Sequence, residues 1–249
     1  MRWHHVAGGG LAVIVAASAT YLTLRRENAH APDRGAFVGS ASCRSCHPGF
    51  YKLWAPSRHG LAMQPYTPEF AAAELTPQEE EIAIGDHRYR VEMGPRQAWV
   101  VEHAADRETR YEIAHVLGGK NVYYFLTALD RGRLQVLPLA YDVRQKAWYD
   151  TAASGVRHFP DRLDSPIHWR ERPFTFNTSC YSCHVSQLTT NYDPRTDTYH
   201  TTWAEPGINC ETCHGPAGEH VRLFQQAEPD KPPPDVAIIK TSDFTAEQI

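Results

Sequence analysis

Three short frames constrain this chain more than anything else in it. Cys43-Arg44-Ser45-Cys46-His47, Cys180-Tyr181-Ser182-Cys183-His184 and Cys210-Glu211-Thr212-Cys213-His214 together use all six cysteines. In a C-x-x-C-H frame the two thiols lie on one side of a helical turn, where both can add to the vinyl groups of one porphyrin. The adjoining imidazole then reaches the iron from below the ring. The competing readings of a C-x-x-C pair are half of a zinc site and a redox-active dithiol, and neither asks for a following histidine. A disulfide scaffold would scatter its cysteines, and the two members of a C-x-x-C pair seldom reach the geometry of a stable bridge. With 14 histidines in 249 residues, accident places one after all three pairs roughly once in 5,600 chains. The expectation is therefore three covalent haem c groups, attached through Cys43 and Cys46, Cys180 and Cys183, and Cys210 and Cys213. His47, His184 and His214 are the proximal iron ligands in this reading.

Composition bears on partners and compartment. A net charge of −4 leaves no basic surplus to hold a nucleic-acid backbone, so no nucleic-acid partner is expected. Residues 1–30 read as a signal peptide or an N-terminal membrane anchor. Arg2, His4 and His5 precede an apolar run over residues 6–24, closed by Arg25, Arg26 and Glu27. Nineteen helical residues would extend roughly 28 Å, close to a bilayer core. Ala17-Ser18-Ala19 is equally a cleavage site of the signal-peptide kind. Either reading sends the rest of the chain out of the cytoplasm, to a periplasmic or otherwise exported location. That agrees independently with the haem reading, because c-type haem is attached there.

The remainder divides by pattern. Residues 36–64 form a first haem-binding segment, 65–170 a mainly β insertion, and 171–228 a segment with two haem sites. Within the insertion, Ile82 and Ile84 and then Tyr89 and Val91 alternate around Gly85-Asp86, a hairpin signal. Trp99 and Val101, then Tyr111 and Ile113, repeat the alternation after Gly94-Pro95. Leu134–Leu137 and Ala147–Tyr149 add two more candidate strands. Pro229 and Pro232 to Pro234 make residues 229–249 an extended linker, and Thr245-Ala246-Glu247-Gln248 has the form of a capping box that starts a helix. A further segment is expected after Ile249. The fold class expected is α+β: an irregular, haem-packed multihaem cytochrome c with short helices and an inserted small antiparallel β unit.

This string of features resembles the multihaem c-type cytochromes that often continue into tetratricopeptide repeats. The residues that carry the resemblance run from about Phe37 to Val221. They include Val38-Gly39-Ser40 before the first frame and Trp54-Ala55-Pro56-Ser57-Arg58-His59 after it. His115-Val116-Leu117-Gly118-Gly119, Gly132 to Pro138, and Asp142 with Trp148-Tyr149 follow. Thr201 to Glu205 leads into Cys210 to Pro216 and on to Glu219-His220-Val221. The resemblance implies exported electron transfer, usually with histidine on both faces of each iron. Members generally carry further C-x-x-C-H frames downstream, and none follows Cys213 here.

Each iron needs a second axial ligand or keeps an open position. His59 stands twelve residues past His47 in the string that matches the family's distal-ligand segment. His220 follows His214 by six residues across Gly215-Pro216, too short a span to reach the far side of its own haem, so it is read as serving another. His115 and His168 complete the candidate set, with a hydrogen-bonded core histidine as the rival reading for His115, and His200 ranks below them. Met63, four residues beyond His59, reads as packing against the same porphyrin rather than ligating iron. Bis-histidine ligation, with a low potential, is expected. Tyr123, Tyr124, Phe125, Trp148, Tyr149 and Trp169 could line haem faces, with ordinary core packing the preferred reading for most of them, while His87, His103 and His158 read as solvated.

Two functions of different class fit these residues. The first is electron relay between redox partner proteins, with no bond chemistry at iron. The alternative is a haem enzyme with one open iron acting on a small nitrogen or sulfur compound, for which Lys120 or Arg133 would supply donors. A sensor or assembly module whose downstream repeats bind a partner is a third.

Overall fold

Strands dominate the middle of the chain because that is where the period-two patterns lie. The computed structural model describes residues 35–154, 167–228 and 230–245. The leader, His158 and the residues after Thr245 lie outside these. Among the described residues no helix is long and apolar enough to cross a membrane. The chain divides into two units: Phe37–Gly215 with Ile239–Ile249, and Met1–Ala36 with Pro216–Ile238.

In the larger unit the helices are single turns or little more: α1 (Ser40–Cys43), α2 (Pro48–Trp54), α3 (Pro68–Glu74), α4 (Phe176–Ser179) and α5 (Cys210–His214). The smaller unit holds α6 (Gly218–Gln226). The expected hairpins form. Strands β2 (Ile82–Ile84) and β3 (His87–Met93) turn at Gly85-Asp86, and β4 (Ala98–His103) pairs with β5 (Glu108–Glu112). These four make one antiparallel sheet in sequence order.

A second sheet had only partial warning from the sequence. It joins β1 (Met63–Pro65), β6 (His115–Gly118), β7 (Val122–Ala128), β9 (Leu139–Asp142) and β10 (Ala147–Asp150) in that order, with β8 (Leu134–Val136) also on β7. Both of its faces are covered. Val116, Tyr123, Phe125, Leu139 and Tyr141 share one apolar cluster with Tyr89, Val91, Val100 and Tyr111 of the four-stranded sheet. Leu117, Leu126 and Val136 point the other way and pack with Met63, Phe176 and Val185, with Cys180, Tyr181 and Trp203 at the margin. Each such side chain, once fully buried, contributes roughly 1.5–3 kcal/mol. The sheet is thus a middle layer, with β-structure on one face and the second C-x-x-C-H segment on the other. Met63 is 1% exposed within this protein cluster, which corrects its reading as a porphyrin neighbour.

Two buried amides fasten that segment down. Gln135 donates from Nε2 to Trp169 O (2.6 Å) and Glu171 O (3.1 Å) and accepts Thr175 Oγ1–H (3.0 Å). Asn177 accepts Leu134 N–H at 2.7 Å and donates to Thr201 Oγ1 at 2.7 Å and to Gly132 O at 3.3 Å. Tyr123, Phe125, Trp148 and Trp169 are core residues.

Candidate functional site

Each cysteine pair sits on a helical turn, and each turn starts differently. The first begins in α1 and ends at His47, which is the N-cap of α2 with Pro48 in the first turn, a position that needs no N–H. The second runs from α4 into a 3-10 turn over Tyr181–Cys183. The third is α5, capped by Asn209 Oδ1, which accepts Thr212 N–H at 2.9 Å, and ended by Gly215. In all three the first cysteine is half-buried and the second exposed. Burial, and then the neighbouring Cys210 thiol, push Cys43 up to about 11. Burial likewise raises Cys180. Among the described residues no group of three or more His, Cys, Asp or Glu is gathered to hold a metal ion.

The histidines that close the second and third frames are oriented by backbone contacts. His184 Nδ1 lies 2.6 Å from Ala62 O, and His214 Nδ1 lies 2.8 Å from Ile239 O. A carbonyl oxygen only accepts, so the ring proton is on Nδ1 in both and Nε2 presents its lone pair. That is the tautomer that a metal needs, fixed by a second-layer partner. His47 meets the Phe50 ring edge-on at 6.5 Å.

The three frames converge, and the third is between the others. Immediately after His184, β11 (Val185–Ser186) pairs with β12 (Glu205–Pro206), which leads into α5. Gly207 N–H bonds His184 O at 2.9 Å, while Ser186 Oγ donates to Gly207 O and accepts Asn209 N–H. The loop that follows β12 meets the first segment. Ile208 N–H donates to His59 O at 2.8 Å, and Trp54 Nε1 donates to Ile208 O at 2.8 Å. Gly207, at φ 79°, is obligatory here, since a Cβ would lie 2.5 Å from Gly60 O and 2.8 Å from His59 O.

Large apolar side chains stand uncovered around the first frame: Phe37 (51% exposed), Val38 (38%), Phe50 (77%), Leu53 (73%) and Leu61 (39%). Exposed apolar side chains near two thiols and an imidazole suit a porphyrin, which is flat, apolar and held at its edge. A family model described as cytochrome c554 and c-prime matches residues 151–215, the span that holds the second and third frames. That span is similar to c-type cytochrome sequence. No curated protein matches the chain. Among solved structures, the crystal structure of Outer Cell Wall Cytochrome OcwA is similar at 17% identity and a TM-score of 0.47, over 83% of this chain and 35% of that one. The chain thus spans about a third of that cytochrome's length.

The histidines expected as distal candidates fall into unlike settings. His59 is exposed, on a loop tied by its own carbonyl to Ile208 N–H. His115, on β6, is half-buried against the edge of Trp203 at 5.7 Å, and burial lowers its pKa, so the ring stays neutral. His220, on α6 in the smaller unit, has Nδ1 2.7 Å from Val236 O, the same tautomer-fixing contact that His184 and His214 make. His168 is exposed and has the reverse arrangement: its Nδ1 accepts Arg170 N–H at 3.2 Å, which leaves the proton of the neutral ring on Nε2. His200 is exposed and its backbone is bonded to Asn191. Sequence reasoning missed Gln135, Asn177, Glu205 and Gly207. The buried Glu211 carried one available signal, an acidic residue inside a haem frame.

Proposed function

We propose that this chain is an exported electron-transfer cytochrome carrying three covalent haem c groups, mostly bis-histidine ligated, with the third frame as the middle station of the relay. The observation that carries the reading is the position of residues 205–212, bonded through their backbone to the first haem segment at His59 and to the second at His184. Electron hopping needs redox groups held near one another in fixed geometry. Three attachment turns joined through residues 205–208 would supply that arrangement.

When bound, each haem contributes a one-electron couple. The residues' part is to attach, orient and tune it. Cys43 and Cys46, Cys180 and Cys183, and Cys210 and Cys213 would hold the porphyrin edges, with His47, His184 and His214 below the irons. Carbonyl contacts at Nδ1 raise the basicity of the imidazole and lower the potential. His59, His115, His168 and His220 are the distal set, and His220 has the contact best suited to the task. The electron donor and acceptor are redox partner proteins.

The test is stoichiometry. Protein matured in an export-competent host should carry three haems that survive acid extraction and denaturing electrophoresis. Replacing both cysteines of one pair should remove one equivalent. Stoichiometric zinc without a visible spectrum would overturn the reading. Tight carbon monoxide binding at one iron would move it to the enzyme alternative.

A further inference from the structure

Glu211 occupies the first variable position of its frame, where Arg44 and Tyr181 stand in the other two. Arg44 is exposed and Tyr181 half-buried, whereas Glu211 is 2% exposed. A carboxylate at that depth requires donors. It finds them 173 residues away, accepting Val38 N–H at 3.0 Å and Gly39 N–H at 2.8 Å. Glu205 does the same one residue further along. It accepts Ser40 N–H and Ser40 Oγ–H, each at 3.0 Å, and is held from its own side by Asn209 Nδ2 at 2.9 Å. Cys210 N–H completes the contact by donating to Ser40 Oγ at 3.4 Å. The peptide groups so captured are the ones that open α1, which intrahelical bonding leaves without acceptors. Gly39, at φ 78°, aims them, and a Cβ there would lie 3.2 Å from Glu205 Oε1.

We propose that Glu205 and Glu211 form a two-carboxylate clamp that fixes the first haem-attachment turn against the third, and are positioning residues for electron exchange between those two haems. The inference rests on the relay reading above. Neither carboxylate attaches haem or ligates iron in that reading, yet both are spent on a four-residue helix that lies outside every sheet. With no strand ladder to hold α1, these bonds set its distance and tilt relative to α5. Electronic coupling between redox centres falls steeply with both. The clamp therefore acts on the rate of exchange and on the shift that charging one iron imposes on its neighbour.

Glu211→Gln tests it with the least disturbance. The amide keeps one acceptor oxygen but turns its NH2 toward the second peptide N–H. Haem-loaded E211Q and E205Q/E211Q should retain three haems and the parent low-spin absorption. In spectroelectrochemical titration, two steps that are coupled in the parent should lose their coupling. Ser40→Ala, which removes only the hydroxyl contacts, should give a smaller loss in the same direction. Full parental coupling in the double variant overturns the clamp. If the double variant sheds haem, E211Q and S40A decide, and undiminished coupling in both overturns it. Three independent steps in the parent itself would instead overturn the relay reading, so the two failures are distinguishable.

Discussion

Asn177 lies three residues before Cys180 and joins the second haem segment to the middle sheet, so truncating it should loosen that segment in a measurable way. Asn177→Ala removes three hydrogen bonds, to Leu134 N–H, Gly132 O and Thr201 Oγ1. Asn177 is 0% exposed, yet Gly132 and Thr201 lie nearer to solvent and can rehydrate. Each bond then counts at its net value of about 1 kcal/mol, for a total of about 3 kcal/mol. For a unit of this size about 1 kcal/mol moves the melting temperature by roughly 2–4 °C, so a fall of about 6–12 °C is expected. Thr201→Ala breaks one of the same bonds and also the bond that Thr201 Oγ1 donates to Thr190 O at 3.2 Å, and should lower the melting temperature by about 4–8 °C. The double variant should fall by less than the sum of the two, because the Asn177–Thr201 bond is lost only once. The assay is thermal melting of haem-loaded protein followed at the haem band and by circular dichroism. A drop for N177A no greater than that for T201A would refute the assignment of Asn177 as the fastener.

Three further outcomes follow from the geometry. His59→Ala and His220→Ala should each convert one iron to a high-spin or water-ligated form while three haems stay attached, and an unchanged low-spin spectrum in both would mean that other histidines serve. Gly207→Ala adds backbone strain of about 1–2 kcal/mol at a positive φ and sets a Cβ against Gly60 O, so its melting temperature should fall by more than about 4 °C. Tyr123 is raised to about 12, first by burial and then by its hydroxyl's bond to Glu74 at 3.0 Å. The folded state therefore keeps a proton that the unfolded chain sheds near 10, so this contribution to stability is complete below pH 10 and is lost as pH rises to about 12. Tyr123→Phe should flatten the alkaline limb of a stability–pH curve over that window.

The sequence by itself carried the haem reading and the local pairs. That reading asks for two thiols and an imidazole from one turn, so it is legible in five consecutive residues. The hairpins at Gly85-Asp86 and after Gly94-Pro95 are likewise set by near neighbours whose side chains alternate. The middle sheet was less legible, because a strand covered on both faces has no polar side to alternate with. In β7, Tyr123 and Phe125 face one cluster and Tyr124 and Leu126 the other, so the stretch reads as an apolar run of no defined period. Met63 carried the same ambiguity, and only its pairing with Leu117 placed it in the core. What tertiary structure alone decided is which attachment turn lies between the other two. The bonds that decide it run from Glu205 and Glu211 to Val38–Ser40 across 165 to 173 residues, and from Ile208 to His59 and Gly207 to His184. Such contacts use ordinary carboxylates, glycines and peptide groups. No periodicity or spacing marks them, because each partner acquires its role only from what the folded chain brings opposite it.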